Sequence, residues 1–208
     1  MARRIIWTSA LLIYSAFFAW YTNFDGPLKD NEIEKNLQVL RDANAPPERI
    51  KLIEEFMRTD TGNDLVMVNS LDLNDSPPDL PATGPGADAN ALLDHYMEHM
   101  YPAQFTRASH PLFFGKAIAN AMDISGIEGA DHWEVGALFR YRSRRDVLEI
   151  SLDSHFTERH EYKMAALTKT IAYPVEAMLN PADLRFILGL IIFSFTSFVD
   201  LLIFRRSH

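Results

Sequence analysis

Hydrophobic residues are concentrated in two long runs, one at each end of the chain. Ile5–Phe24 contains no charged side chain, and Phe186–Phe204 contains only Asp200. Each run has about the 20 residues that a helix needs to cross the roughly 30 Å core of a bilayer. The first run is long for a cleaved signal peptide and ends in bulky aromatic residues, which favours a retained helix. The pattern predicts one transmembrane helix at each end, within residues 1–24 and 180–208.

Between the two runs, apolar residues follow the shorter periods of a folded domain. Residues 25–62 begin with a Gly-Pro break and continue as two amphipathic stretches separated by consecutive prolines, which predicts a linker and a helical hairpin. Residues 63–179 then alternate between the two-residue period of strands and the helical period. Strands are expected at Leu65–Leu73, Pro111–Met122, Trp133–Arg142 and Ile171–Val175, and helices at Ala89–Tyr101 and Ser154–Leu167.

The resulting order is β-α-β-β-α-β, which predicts an α+β protein with a ferredoxin-like domain. The complete architecture is that domain with an N-terminal helical hairpin, flanked by one transmembrane helix at each end. A four-stranded antiparallel sheet that carries its helices on one face leaves the other face open. If the open face is apolar, a second copy of the chain can cover it, so a homodimer is expected there.

Charge divides the chain in the same way as hydropathy. The net charge is −8, but residues 25–184 hold 27 of the 28 acidic side chains and only 15 of the 20 lysines and arginines. A domain this acidic would repel phosphate, so nucleic acid is excluded as a sequence-independent partner. Arg3, Arg4, Arg205 and Arg206 flank the outer ends of the apolar runs. The positive-inside rule then predicts a bacterial inner-membrane protein with both termini cytoplasmic and the main domain periplasmic.

Three stretches of the domain carry a family resemblance: VMVNSLDL (Val66–Leu73), VGALFRYRSRRDVLEISLDSHF (Val135–Phe156) and HEYKMAALTKTIAYPVE (His160–Glu176). With them, the region from about Phe56 to Val175 resembles the dimeric α+β-barrel superfamily, specifically a group of small bacterial proteins of unknown function. The resemblance implies a ferredoxin-like fold and face-to-face homodimerisation. The superfamily includes cofactor-free monooxygenases, isomerase-like and dehalogenase-like enzymes and haem proteins, so it implies no single activity. The two apolar ends and the helical hairpin depart from its compact soluble members.

Three residues are candidates for a pocket inside the domain. Asn69 lies in mid-strand among aliphatic residues, and a buried amide must either bond nearby backbone or reach into a pocket. Arg140 could hold an acidic group through its bidentate fork, although pairing with neighbouring acidic side chains is the simpler alternative. His160 falls on the apolar side of its helix, where it is either a packed core residue or a residue of the pocket.

Other candidates are weaker. His95 and His99 are spaced i, i+4 on one helix face and could begin a metal site, but the sequence fixes no third ligand. Asp200 either lies at the membrane interface near the terminal arginines or contacts a neighbouring transmembrane helix. The chain has no cysteine and no dinucleotide, phosphate-loop or nucleophile-elbow motif, and no cofactor is predicted.

Two functions fit these patterns. The first is an accessory or structural subunit of a larger inner-membrane complex, whose extramembrane domain contacts other membrane-protein subunits. The second is a membrane-tethered protein that binds a small molecule, or a cofactor-free enzyme of the monooxygenase or isomerase type, using the pocket of the α+β barrel. The first is preferred because no catalytic set is recognisable, and the fold alone does not decide between them.

Overall fold

This computed structural model describes residues 1–204, apart from the side chains of residues 154, 155 and 157. The predicted basic tail, with Arg205 and Arg206, lies outside the described residues. Seven helices and four strands occur in the described part. In chain order they are α1 (Ala2–Tyr21), α2 (Asp30–Asp42), α3 (Pro47–Arg58), β1 (Leu65–Leu73), α4 (Ala89–Phe105), β2 (His110–Lys116), β3 (Val135–Tyr141), α5 (Arg144–Ser151), α6 (Ser154–Ala165), β4 (Leu167–Val175) and α7 (Leu184–Phe204).

The chain divides into two units. Residues 25–176 form the larger unit, and residues 1–24 together with 177–208 form the smaller one. In the larger unit, the four strands make one antiparallel sheet in the order β2-β3-β1-β4. The element order and the strand order together are those of a ferredoxin-like fold, which confirms the predicted α+β class.

The strand bounds differ most from those predicted at two places. β2 ends at Lys116 instead of Met122, because Lys116 pairs with Val135, the first residue of β3. Beyond this pair the ladder gives way to separate backbone bonds, from the N–H of Ala117 to the carbonyl of Glu134 and from the N–H of Ala121 to that of Asp131. The apolar residues that follow Lys116 lie in an exposed loop. β4 begins at Leu167, earlier than predicted, since it pairs with the end of β1 from Leu73 onward. In both cases pairing between strands sets the limit, and local composition does not reveal it.

Local sequence explains where several helices begin. The Asp88 carboxylate accepts a hydrogen bond of 2.8 Å from the backbone N–H of Ala91 and caps α4. The Ser143 hydroxyl caps α5 in the same way, by accepting from the backbone N–H of Asp146. Such caps satisfy N–H groups that a helix cannot pair internally. Pro47 fits the first turn of α3, where its missing N–H has no consequence.

Two apolar clusters hold the larger unit together. The main cluster lies between α4, α6 and one face of the sheet, with Leu92 and Ala166 completely buried at its centre. The second cluster joins the helical hairpin to α5, where Leu37, Met57 and Leu148 are almost fully buried. Because α5 contributes to both clusters, through Ile150 to the first and Leu148 to the second, the hairpin is packed onto the sheet domain.

Register shows which side of the sheet each residue occupies. Phe114, Ala137, Asn69 and Ala172 form one row across the four strands and face the helices. The adjacent row, which is Phe113, Leu138, Val68 and Tyr173, faces the opposite side, since side chains alternate along a strand. Phe113 and Tyr173 are 56% and 50% exposed there. The outer sheet face is therefore apolar and open.

In the smaller unit, α1 and α7 pack against each other in opposite directions. The Trp7 and Phe193 rings contact each other with centroids 5.8 Å apart, and the Tyr14 hydroxyl donates to the carbonyl of Arg185 over 3.0 Å. Gly189 allows this approach, because a Cβ there would lie 3.3 Å from the Tyr14 ring.

Only one helix among residues 1–204 is long and apolar enough to cross a membrane. It is α7, with a mean hydropathy of 2.4. The prediction of such a helix at each end is thus met at the C-terminal end only. Although α1 is 20 residues long, Arg3 and Arg4 lie in its first turn and hydroxyl groups interrupt its apolar surface, which together lower its hydropathy.

Candidate functional site

A cavity of about 440 Å³ lies in the larger unit between the helices and the inner face of the sheet. All four strands contribute to its wall, as do α4, α5 and α6. Its apolar wall is rich in methionine and aromatic side chains: Met67, Met97, Met100, Phe114, Phe139 and Phe156. This volume is within the usual range of small-molecule sites, which are mostly apolar with a few polar groups that converge on the ligand.

Asn69 lines this cavity, as one of the two alternatives from the sequence expects. Its side chain is 7% exposed, and its amide nitrogen donates to the carbonyl of Met67 at 3.1 Å and to that of Ala137 at 3.4 Å. Bonds to backbone within β1 and to its neighbour β3 hold the amide in one orientation. Asn69 therefore combines both sequence alternatives: it bonds local backbone and faces the pocket.

His160 also lines the cavity, from α6. Its ring stacks on Phe156 with centroids 5.0 Å apart, and Tyr96 lies edge-on to it at 6.2 Å. Burial lowers the pKa of His160, and the positive charges of Lys163 and Arg49 lower it further. The imidazole is therefore neutral at pH 7. Its Nδ1 atom is buried and has no hydrogen-bond partner among the described residues.

Arg140 does not line the cavity. Phe139 and Tyr141 take the inner face of β3, so Arg140 lies in the outer row by alternation. It is 1% exposed; its Nε donates to the Asp64 carboxylate at 2.9 Å, and its Nη1 donates to the carbonyl of Ala108 at 2.7 Å. Its guanidinium is thus committed to structural bonds, which is the simpler alternative from the sequence.

The polar residues of this cavity that the sequence did not single out include Gln104, Tyr141 and Lys163. Gln104 is 1% exposed and donates through Nε2 to the Tyr141 hydroxyl at 2.9 Å. Its Oε1 atom has no partner in the described part of the chain. A signal for Gln104 was present, because it continues the four-residue spacing of Leu92, Tyr96 and Met100. It was missed because the predicted helix ended at Tyr101, whereas α4 continues through Pro102 to Phe105.

Lys163 follows His160 by three residues on α6, which places the two side chains on neighbouring positions of one helix face. Its ammonium lies 5.8 Å from the centre of the Tyr96 ring. Burial lowers the pKa of Lys163, and burial likewise raises the pKa of Tyr96, so both groups are partly shielded from water. A lysine among apolar side chains attracts little notice in a sequence, since most lysines are solvated.

The remaining candidates lie elsewhere. The His95 ring packs edge-on against Tyr162 with centroids 4.5 Å apart, and its Nδ1 is 3.4 Å from the Glu98 carboxylate. No group of three or more His, Cys, Asp or Glu side chains arranged for a metal ion, with His99 or otherwise, occurs among the residues described. Asp200 lies in the smaller unit, where its carboxylate accepts from Arg3 at 2.6 Å. The neighbouring helix that Asp200 contacts is thus α1 of the same chain.

Comparison with known proteins supports the fold and leaves the activity open. No family model and no curated relative matches the chain. A protein of unknown function from Rhodopseudomonas palustris has a similar structure, with a TM-score of 0.51 and 15% identity over 62% of this chain and 94% of that one. Its methylated form gives 0.52 and 16% identity over 64% and 93%. A dimeric ferredoxin-like protein of unknown function from Jannaschia sp. CCS1 matches at 0.36 and 9%, over 55% of this chain and 100% of that one.

Proposed function

We propose that this protein is a membrane-anchored receptor or carrier for a small, mainly apolar molecule that occupies the cavity between the helices and the sheet. One observation carries the proposal: the wall of the 440 Å³ cavity is mostly apolar, yet it includes two buried polar atoms, His160 Nδ1 and Gln104 Oε1, that have no partner among the described residues. Native proteins rarely leave such atoms unsatisfied, because each costs about 1–3 kcal/mol. A ligand with a polar group would satisfy them.

Membrane anchoring is part of the proposal. The apolar surface of α7 supports a span, and the contacts of α1 with α7 support a helical pair that crosses the bilayer together. In this arrangement Arg3 and Asp200 neutralise each other near one end of the pair. We place both termini in the cytoplasm and the domain in the periplasm of a bacterial inner membrane, following the arginines at the chain ends. An anchored domain would suit a ligand that partitions into lipid.

The proposal can be tested with N-phenyl-1-naphthylamine, an apolar dye that becomes fluorescent in dry cavities. The detergent-solubilised full chain should bind the dye, and Ala137→Phe should weaken binding at least about tenfold, because Ala137 is 1% exposed and its side chain faces the cavity. Ala119→Phe is the matched control, since Ala119 lies exposed in the loop after β2. Far-UV circular dichroism checks that both variants fold. Equal dye binding by both variants would contradict the proposal.

The outer sheet face favours a second candidate, an accessory subunit that contacts other membrane-protein subunits or a second copy of itself. Phe113, Ile171, Tyr173 and Val175 are 56%, 38%, 50% and 37% exposed on this face. Exposed apolar surface of this kind marks interaction sites. Native mass spectrometry in mild detergent should show a dimer or a larger complex that Tyr173→Lys dissociates. Leu52→Lys, which changes an exposed leucine on α3, should leave it intact. A monomer in every case would contradict this candidate.

A further inference from the structure

Lys163 differs from four arginines of the same unit in having no carboxylate partner among the described residues. Arg140, Arg142, Arg144 and Arg145 each lie within 3.5 Å of an Asp or Glu oxygen. Among residues 1–204, with the exception of the side chains not described, no carboxylate lies within ion-pair distance of the Lys163 ammonium, whose neighbour is the Tyr96 ring. A cation on a cavity wall without a counter-charge is a place where an anion from outside the chain would bind favourably.

The charged and titratable groups around Lys163 are few. On α6, its own helix, the neutral His160 is next to it. From α4, Tyr96 faces it, while Asp94 lies at the exposed edge of the cavity. From β3, the Tyr141 hydroxyl already accepts a hydrogen bond from Gln104. Arg49, from α3, adds a further positive charge that acts on His160. Neither tyrosine places a negative charge beside the ammonium at neutral pH, since burial raises the pKa values of both, and the exposed Asp94 forms no ion pair with Lys163.

We propose that the cavity binds a weak organic acid in its ionised form, with the acidic oxygen beside Lys163 and the apolar body against the methionine and phenylalanine side chains. This rests on the proposed binding function and names its ligand class: a phenol, enol or carboxylic acid with a single acidic group. A neutral analogue would leave the Lys163 ammonium without a counter-charge. A multiply charged ligand such as a phosphate ester would bring more charge than one lysine balances, into apolar surroundings.

Two further atoms fit a ligand of this class. Gln104 Oε1 is buried and can only accept a hydrogen bond, so it would receive one from a second, neutral hydroxyl or amine on the ligand. His160 Nδ1 can donate or accept according to its tautomer. The Lys163 cation and these two atoms thus match a ligand with one acidic oxygen and at least one more polar group, on an otherwise apolar frame.

The experiment uses two probes that differ only in their ability to ionise, 4-nitrophenol and its methyl ether 4-nitroanisole. The yellow colour of the phenolate reports ionisation, so the apparent pKa of bound 4-nitrophenol can be read by absorbance in the detergent-solubilised full chain. A nearby cation should lower this pKa by about 1 to 3 relative to the free compound. Lys163→Met should abolish the shift, and Lys163→Arg should retain most of it. Lys116→Met, at an exposed lysine of β2, is the matched control.

The outcomes separate this inference from the binding function on which it rests. One outcome is that both probes bind while the pKa of 4-nitrophenol is unchanged, and another is that the Lys163→Met variant lowers this pKa as much as the wild type does. In either case the proposed ligand class is wrong, but the cavity still binds small molecules. If neither probe nor the apolar dye binds, both proposals are overturned. A lowered pKa that depends on Lys163, with 4-nitroanisole binding equally to the wild type and Lys163→Met, supports the inference.

Discussion

Two regions of the larger unit differ in whether their polar side chains have partners. Around α5 and the C-terminal end of β3, arginines form ion pairs with carboxylates. Arg145 binds Glu32 through two bonds of 2.6 and 3.0 Å, and Arg142 binds Asp146 through bonds of 3.1 and 2.7 Å. In the cavity, Lys163 has an aromatic ring as its neighbour, and polar atoms of two other side chains are left unsatisfied. The ion pairs of the first region hold parts of the fold together, and the second region is the proposed binding site.

Both regions contain many charged or polar side chains, but only the cavity is a candidate site. The reason is that, of these two regions, only the cavity has buried polar atoms without a partner among the described residues. A satisfied ion pair holds parts of the chain in place: Arg144 joins the end of α3 to the end of β4, through bonds to Thr59 and Glu176. A polar group without a partner contributes nothing to the fold and costs free energy. Because native proteins contain few such groups, each calls for an explanation, and the explanation that we propose is a bound ligand.

The largest expected effect comes from breaking the scaffold. Arg140→Met should lower the free energy of unfolding by about 3 kcal/mol, because it leaves the Asp64 carboxylate without its buried cation and the carbonyl of Ala108 without a donor. Urea denaturation of the detergent-solubilised chain, followed by circular dichroism, measures the change.

The control for Arg140 is Arg41→Met. Arg41 lies 4.0 Å from Glu34, and both side chains are about half exposed, so its removal should cost less than about 1 kcal/mol. Equal losses in the two variants would show that burial does not distinguish these pairs.

In the cavity, a substitution is expected to raise the free energy of unfolding instead of lowering it. Lys163→Met should raise the free energy of unfolding at pH 7 by about 1 kcal/mol, because it removes a cation that burial disfavours and that no carboxylate offsets. The folded-state pKa of Lys163 is lowered, so the unfolded chain binds its proton more tightly and the wild type gains stability as pH rises towards 10.5. The advantage of the variant should therefore shrink over that range. A variant less stable than the wild type at pH 7 would indicate a structural role for Lys163.

The sequence predicted the fold well because its evidence is local and repeated. Two-residue and helical periods run through β1, α4 and β3, and the order of elements is enough to select a ferredoxin-like arrangement. Even so, the end of β2 and the start of β4 depend on pairing with distant residues, and no local pattern contains that information.

The site was only partly predictable. Asn69 and His160 stood out as polar residues in apolar stretches, and both line the cavity. Arg140 stood out because its guanidinium could hold an acidic group, but strand alternation places it on the other face of the sheet. What distinguishes Lys163 from the other described lysines is its partly buried place on the cavity wall, beside the Tyr96 ring and with no carboxylate within ion-pair distance. That property exists only after folding. The hydropathy of α1 was overestimated because its apolar length was weighed more than its polar composition.

The smallest of the predicted effects should come from a partly buried pair of the scaffold, Glu32 and Arg145. The hydrogen bond from Arg145 is the main cause that lowers the pKa of Glu32 from 4.5 to about 2, with the backbone N–H of Lys29 second. Because the folded-state pKa is lowered, this contribution to stability is complete above pH 4.5 and is lost as pH falls from 4.5 towards 2. Both side chains keep some contact with solvent, which screens the pair, so Glu32→Gln should cost less than about 1 kcal/mol at pH 7 and almost nothing at pH 2. Urea denaturation at the two pH values, with Glu55→Gln on the exposed side of α3 as control, measures the difference. A loss that is the same at both pH values would mean that Glu32 stabilises the hairpin by packing and not by charge.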